Sequence, residues 1–312
     1  MRISETPIIG NSKIGSLKKI SFVIKEKIIS GLFSLSALIS VITTAGIIII
    51  LVSESIGFFR EVSIIEFLFG TRWEPLLEPK SFGILPLLSG TMLIVVGSVM
   101  IAIPMGVFTA IYLSQYASDR ARAILKPVLE ILAGIPTVVY GYFALTFISP
   151  MLRQILPGTN VFNALSAATV VGIMILPMVA SLCDDAIGAV PNSLKQGGYA
   201  LGATPFEVIT QVIIPGAFSG IMASFVLAIS RAFGETMAVT LAAGATPNLT
   251  INPLESIQTM TAYIVQVSLG DTPAGGIEYK TIFAVGILLF VVTLLMNVIA
   301  NKVRHHFREV YE

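Results

Sequence analysis

Six long apolar runs alternate with shorter polar segments along the chain. Each run is about 20 residues or longer, the length that a helix needs to cross a hydrocarbon core. None shows the two-residue alternation of a barrel strand, so the pattern predicts helices rather than a membrane β-barrel. The sequence therefore predicts an all-α polytopic membrane protein with six transmembrane helices. The predicted spans are residues 28–52, 84–113, 128–150, 163–183, 216–243 and 281–300.

The composition supports a membrane protein. Of 312 residues, 55% are hydrophobic and only 12% are charged, about half the charge of an average soluble domain. This excludes an ordinary cytosolic enzyme, a disulfide-rich secreted scaffold and a disordered tail. A net charge of +1 without a dense basic stripe argues against a nucleic-acid partner.

Lysine and arginine predict the orientation in the bilayer. With the N-terminus inside, the inner segments hold 13 of the 19 basic residues and the outer segments hold five, as the positive-inside rule requires. We therefore expect a multi-pass protein of the cytoplasmic (inner) membrane with both termini cytosolic. The basic arm 1–27 precedes the first span, which is too long for a signal-peptide core, and the tail 302–312 follows the last.

Two outer segments carry structure of their own. Residues 53–83 combine many aromatic side chains with five glutamates, so residues 28–83 are interpreted as the first span followed by an external amphipathic segment; a loop packed on the helices is the alternative. In residues 244–280, Asn252 before Pro253 predicts the start of a short helix.

The inner segment 184–215 is the longest internal loop. Thr204 before Pro205, with Glu207 three residues later, predicts a capping box. We expect two short helices joined at Gly202, forming a cytosolic docking surface for a soluble partner; an interfacial hairpin without a partner is the alternative.

Three successive spans contain a proline, which interrupts the helical hydrogen bonds and bends a helix. Membrane helices tolerate this where neighbours satisfy the freed backbone groups. Together they indicate a transporter-like bundle. The candidate kink or gating residues are Pro104, Gly134, Pro136, Pro177 and Glu130.

Arg231 and Glu235 stand out among the charges within the predicted spans. On a continuous helix over 216–243, Arg231 lies about 22 Å along a length of about 40 Å, near mid-depth, and Glu235 lies one turn away. An arginine there must face protein or a water-filled path. It either forms an internal ion pair with Glu235 or binds an oxyanion such as phosphate through its planar donors.

Small residues recur at every fourth position of the same run and predict a central, tightly surrounded helix. Because the row drifts by about 40° per step, it stays on one face for only three or four steps. Its members are Gly216, Gly220, Ser224, Ala228, Ala232, Thr236 and Thr240.

Missing motifs narrow the function. No Gly-Lys dipeptide occurs, so the chain contains no Walker A loop and is not itself the ATPase. The only histidines, His305 and His306, lie in the inner tail, where they cannot activate a membrane serine or form a metal pair within the spans. We expect neither a catalytic residue nor a metal site.

Residues 196–215 resemble the cytosolic E-A-A-x3-G-x9-I-x-L-P loop of ABC importer permeases. Gly202 matches the loop glycine, and Val212, Ile214 and Pro215 match the final positions, while Gln196-Gly197-Gly198 replaces the E-A-A. Further stretches resemble the phosphate-specific permeases, and the Met-Ala-Val ending of the charged motif is similar to their PstC-type subunit. These stretches are Leu125-Lys126-Pro127 with Glu130, Leu132 to Gly141, Asn163 to Ala167, Ile175 to Pro177 and Arg231 to Val239.

The resemblance implies a type I importer permease core over residues 84–301 that forms half of a phosphate path around Arg231 and Glu235. It implies a PstA-type sister permease, two ATPase subunits that use ATP and Mg²⁺, and an external phosphate-binding protein as partners in a lipid bilayer. The chain itself binds no cofactor and is not an enzyme. The loop 184–215 carries the coupling helix, with Gly198, Gly202, Ala203, Pro205 and Pro215 as its ATPase-coupling residues.

Other functions remain open from the residues alone. The chain could be a permease for another oxyanion, because an arginine binds other oxyanions with the same planar donors. An ion-coupled secondary transporter or channel predicts transport without ATP, and an assembly or sensor scaffold makes Arg231 purely structural.

Overall fold

The computed structural model describes residues 12–306 apart from 271 and 274, with side chains from residue 25 to 302 apart from 271, 274 and 300. The chain divides between Ser53 and Glu54 into two units. Helix α1 (Ser12–Phe59) crosses this boundary with 48 residues, and its part Lys25–Phe59 is long and apolar enough to span a membrane. The predicted first span thus belongs to a longer helix that includes much of the basic arm, while residues 1–11 lie outside the described residues.

The second unit is helical apart from one small hairpin. Its elements are α2 (Ile64–Phe69), β1 (Trp73–Glu74), β2 (Ser81–Phe82), α3 (Leu85–Ile111), α4 (Asp119–Gly134), α5 (Thr137–Phe143), α6 (Ser149–Ile155), α7 (Ala164–Gly188), α8 (Asn192–Ala200), α9 (Pro205–Val208), α10 (Ile214–Phe233), α11 (Met237–Ala242), α12 (Met260–Leu269) and α13 (Ile277–His306). Short π-helical turns continue α3 over Tyr112–Tyr116, join α5 to α6 over Ala144–Ile148 and join α9 to α10 over Ile209–Ile213. Among the described residues, five helices can span a membrane by length and composition, or six if one bent pair counts as a span.

The kink predicted at Gly134 and Pro136 is present, and it divides the predicted span 128–150 into two helical stretches. Helix α4 ends at Gly134, and the stretch Thr137–Ile155 continues at 90° to it. Pro136 cannot donate the hydrogen bond that would carry α4 onward, and the residue before a proline is driven to extended backbone; Ile135 has φ −69° and ψ 130°. Helix α4 also begins earlier than predicted, because Ser118 caps it by accepting from the Ala121 N–H at 3.3 Å. Pro104 and Pro177, in contrast, lie inside α3 and α7, which continue past them.

The centre of the bundle is α7. Fifteen of its 25 residues are buried, so it is surrounded on most sides. Helix α10 buries one face only, which corrects the prediction that the fifth span is the central helix. Along the row of small residues, Ser224, Ala228 and Ala232 are buried on that face. The row ends there because α10 ends at Phe233, so Thr236 and Thr240 lie beyond the helix.

The segment that follows α1 packs largely on the bundle. Strands β1 and β2 are antiparallel, with Trp73 opposite Phe82, and both side chains are buried together with Phe58 and Phe67. Trp73 meets the ring of Tyr263 edge to face at a centroid distance of 5.0 Å. These aromatic side chains therefore match the alternative prediction, a loop packed on the helices. Exposed Ile64, Ile65 and Phe69 on α2 keep an apolar face for the interfacial interpretation.

The helix predicted to begin at Asn252 is absent. The Asn252 side chain accepts from the Leu254 N–H at 3.1 Å and closes a turn. The carbonyls of the next residues accept tertiary hydrogen bonds instead of helical ones: Pro253 from Leu165, Leu254 from Asn160 and Glu255 from Ala164. The helix of this segment begins at Met260, where the Thr259 hydroxyl accepts from the Ala262 N–H at 3.2 Å.

Candidate functional site

Arg231 lies in the last turn of α10, at the edge of a break in the helix. The helical stretch Pro205–Phe233 has 29 residues, so Arg231 is near its C-terminal end rather than at the middle of a span over 216–243. The assumption of a continuous helix over 216–243 is therefore wrong, while the depth of Arg231 in the bilayer stays a prediction. Carbonyls at a helix C-terminus carry partial negative charge, which favours a cation at this position.

Glu235 pairs with Arg231 across the break. Nη1 of Arg231 lies 2.9 Å from Oε2 of Glu235, and the arginine side chain is 43% exposed whereas the carboxylate is buried. The separation is that of an ion pair, but Oε2 lacks an aligned hydrogen bond within the described part of the chain. The sequence correctly placed these two charges in contact, although the contact spans the end of α10 and not the face of one helix.

The carboxylate is held more firmly than the guanidinium. Oε1 of Glu235 accepts from the N–H of Ala238 in α11 at 3.3 Å. The Glu235 carbonyl accepts from the hydroxyl of Thr261 in α12 at 2.8 Å. Residues of α11 and α12 thus bind Glu235 from both sides, whereas the side chain of Arg231 is half-exposed.

The guanidinium keeps donors available for a ligand. Within the described residues its only other polar neighbour is Met174 on α7, whose Sδ lies 3.9 Å from Nη2, and sulfur is a weak acceptor. A guanidinium carries five N–H donors in one plane, a geometry that matches an oxyanion. The site can therefore bind an anion on the open side of Arg231 while Glu235 neutralises part of its charge.

The loop between α7 and α10 forms the second candidate site. Helix α8 ends before Gly202, whose φ of +84° reverses the chain, and the next helix begins behind Thr204. The predicted capping box is present: the Thr204 N–H donates to Oε2 of Glu207 at 2.8 Å, and the Glu207 N–H donates to the Thr204 hydroxyl at 3.4 Å.

One part of the loop prediction is wrong. The second short helix is not separate, because α9 continues through a π-helical turn into α10. The fifth span therefore begins at Pro205 and not at 216, and Pro215 lies within the continuous helix.

Four of the five predicted coupling residues, Gly198, Gly202, Ala203 and Pro205, form one corner, whereas Pro215 lies ten residues further along the helix. Gly198 contacts α9, where a Cβ would lie 3.1 Å from Val208, and the Ala203 N–H donates to the Gly198 carbonyl at 3.2 Å. Beside this corner Leu201 is 91% exposed and Phe206 is 68% exposed. Neither was among the predicted site residues. The sequence could have indicated them, because each is an apolar residue beside the turn at Gly202.

The predicted kink residues fall into separate places. Glu130 and Pro177 meet at a cavity of about 310 Å³ between α4 and α7, which Lys126 and Asp184 also line. Pro136 follows Gly134 at the bend after α4, and Pro104 lies on α3. Within the described part of the chain none of these residues forms a hydrogen bond or ion pair with Arg231 or Glu235, and their proposed role in gating stays a prediction.

The sequence missed one polar cluster. Asp184, near the end of α7, is 3% exposed, and its two carboxylate oxygens lie 3.2 and 3.0 Å from Nη2 of Arg122 on α4. Nζ of Lys126 lies 3.5 Å from the same carboxylate. A charged residue at the end of an apolar run was the signal that could have indicated it.

A family model and individual relatives both identify permease components of transport systems. Residues 102–308 match the family model described as a binding-protein-dependent transport system inner membrane component. A probable ABC transporter permease, YqgH of Bacillus subtilis, is 36% identical, with 83% of this chain and 84% of that protein covered. The phosphate transport system permease PstC of Haemophilus influenzae is 32% identical, with 86% and 89% covered.

Solved structures share the fold at low identity. A chain of a bacterial alginate ABC transporter superposes with a TM-score of 0.65 at 16% identity, covering 90% of this chain and 95% of that one. A chain of the inward-facing MetNI methionine ABC transporter gives a TM-score of 0.53 at 18% identity, covering 73% and 95%.

Proposed function

Since the chain belongs to the family of binding-protein-dependent transport system inner membrane components, we propose that it is the PstC-type permease subunit of an ATP-driven importer of inorganic phosphate. The family and the all-α importer permease fold agree with the resemblance read from the sequence. As a permease, the chain is a transport subunit and not an enzyme. Two phosphate transport system permeases, 30% and 32% identical over most of the chain, support the proposal.

The observation that carries the proposal is the half-exposed guanidinium of Arg231 at a helix break. A planar, cationic guanidinium suits the oxygen atoms of phosphate, and the pair with Glu235 leaves such donors on one side. Glu235 weakens the hold of Arg231 on an anion, which a transport site needs because it must release its substrate as well as bind it. Changes in the position of the break then expose the anion site to one side of the membrane at a time.

The partners follow from the same proposal. A PstA-type sister permease completes the path beside Arg231, two ATPases bind the corner formed by α8 and α9 and hydrolyse ATP with Mg²⁺, and an external phosphate-binding protein delivers substrate. Exposed Leu201 and Phe206 on the corner supply the apolar contact that the ATPase would cover. Both termini and this corner are then cytosolic, in agreement with the distribution of lysine and arginine.

Reconstitution tests the function directly. The chain with its sister permease, ATPases and binding protein is placed in vesicles, and labelled phosphate uptake is measured with and without ATP. We expect ATP-dependent uptake by the native complex and loss of at least about 90% of it for Arg231→Gln, since removal of an anion-binding charge from a path costs more than about 1.4 kcal/mol.

Arg153→Gln is the matched control. Arg153 also lies in the last turn of a helix, α6, and is exposed, so its replacement should leave uptake unchanged. Normal uptake by Arg231→Gln would reject the anion site. Phosphate flux without the ATPases would identify a secondary transporter instead.

A further inference from the structure

A buried carboxylate ties α7 to the neighbouring helix α4. Asp184 lies four residues before the end of α7, and both of its oxygens contact Arg122 while one also faces Lys126. Arg122 and Lys126 are four residues apart and therefore project from the same face of α4. Burial and the C-terminal end of a helix both disfavour a carboxylate, so the two cations place compensating charge beside it.

These ion pairs contribute strongly to the position of α4, because its apolar burial is slight. None of its 16 residues is fully buried, and only Ala121, Lys126, Leu129 and Leu132 are half-buried. The cavity of about 310 Å³ between α4 and α7 leaves part of their interface unfilled. A helix with few buried side chains depends more on its polar contacts for its position. The Asp184 cluster supplies such contacts between α4 and α7.

One end of this tie leads to the loop corner. Helix α7 ends at Gly188, four residues after Asp184, and α8 begins at Asn192. Asp184 and the start of α8 are therefore eight residues apart, so a displacement of α8 is transmitted to Asp184 through a short stretch of chain.

The other end leads to the Arg231–Glu235 pair. Helix α4 passes through the bend at Pro136 into α5, and the Tyr140 hydroxyl on α5 donates to the Leu132 carbonyl on α4 at 2.8 Å, which fixes the bend. Next to Tyr140, Gly141 lies against α11, where a Cβ would be 2.9 Å from the Cα of Ala238. Ala238 is the residue whose N–H binds the Glu235 carboxylate.

We propose that Asp184 is a positioning residue for transport: its pairs with Arg122 and Lys126 form a clamp that carries the displacement of α8 through α4 and α5 to the anion site. The inference rests on the proposed function, since it assigns a task to α8 only when an ATPase acts there. The clamp does not touch the transported anion. Its removal should separate ATP hydrolysis from transport without abolishing either subunit assembly or anion binding.

The experiment measures phosphate moved per ATP hydrolysed by the complete transporter in vesicles. Asp184→Asn keeps the shape and removes the charge, and we expect the ratio to fall by about fivefold or more, the lower range of typical coupling between sites, while the ATPases still co-purify. Asp185→Asn is the control, because Asp185 is the exposed neighbour of Asp184 and makes no part of the clamp; its ratio should equal that of the native complex.

A double-mutant cycle distinguishes a clamp from a local folding defect. Arg122→Gln should lower the ratio by itself, Arg120→Gln should not, and Arg122→Gln added to Asp184→Asn should cause little further loss. If Asp184→Asn does not assemble, Arg122→Gln tests the same ion pair by changing its half-exposed partner, and the phosphate-to-ATP ratio of that variant is measured instead.

Three outcomes contradict the inference or its premise. A native ratio for both Asp184→Asn and Arg122→Gln overturns the clamp, and so do fully additive losses. A native complex that hydrolyses ATP without moving phosphate overturns the proposed function instead.

Discussion

At the scale of single residues, Arg231 and Glu235 differ in how they are held. Two elements fix Glu235, through the Ala238 N–H and the Thr261 hydroxyl, whereas Arg231 ends in a half-exposed guanidinium. The carboxylate is therefore a fixed competitor for the arginine, and the anion must displace part of this interaction when it binds. The strength of that competition sets the balance between capture and release.

We expect Glu235→Gln to bind phosphate more tightly but to transport it more slowly. The amide still accepts from Ala238 but no longer neutralises Arg231, and loss of a partly exposed ion pair of about 0.5–1 kcal/mol corresponds to a KM roughly two- to fivefold lower. Uptake kinetics measure both values. Exposed Glu74, replaced by Gln, is the control, and a higher KM for Glu235→Gln would contradict the competition.

At the scale of elements, the corner formed by α8 and α9 depends on one backbone conformation. Gly202 has a φ of +84°, and a Cβ built there meets no atom within 4 Å among the described residues. Space is therefore not the constraint at this position. Only the left-handed backbone limits which residues fit, because it brings a Cβ close to the following carbonyl.

Because backbone conformation and not space limits the residues that fit at position 202, two substitutions there form a matched pair. Gly202→Val should destabilise the corner by about 1–2 kcal/mol and reduce both ATPase co-purification and phosphate uptake several-fold. Gly202→Asn, a residue that tolerates this conformation, should retain both. If the two variants behave alike, the turn geometry does not determine docking of the ATPase.

At the scale of the whole molecule, the ends of the bundle differ in their surfaces. One end carries the α8–α9 corner with exposed Leu201, and the segment after α1 presents exposed Leu77. Ion pairs fasten that segment to α13: Lys80 to Glu278 at 2.6 Å and Lys280 to Glu61 at 2.8 Å. The proposed orientation puts the corner in the cytosol and this segment outside.

Thiol labelling in cells tests the orientation. Cys183, the native cysteine, is buried, so a membrane-impermeant maleimide reports only introduced thiols. We expect Leu77→Cys to react in intact cells and Leu201→Cys to react only after the membrane is opened. The native chain is the unlabelled control, and the reverse labelling pattern would invert the proposed topology.

The sequence by itself determined the features that depend on neighbours along the chain. Apolar runs of membrane length gave the helical class, because the bilayer imposes that length on any spanning helix. Thr204, Pro205 and Glu207 gave the capping box, since all its hydrogen bonds form within four residues. The scarcity of charge within the spans singled out Arg231 and Glu235, and their spacing placed them in contact.

Only the tertiary structure decided where helices break and which charges meet across them. Asn252 began a turn and not a helix because distant N–H groups occupy the carbonyls that follow it. The break after Phe233 depends on α11 and α12, which hold Glu235, and no local pattern encodes those contacts. Asp184 pairs with Arg122, which lies 62 residues away in the sequence. Packing of α4 against α7 brings these charges together, and the periodicity of either helix alone does not predict the pair.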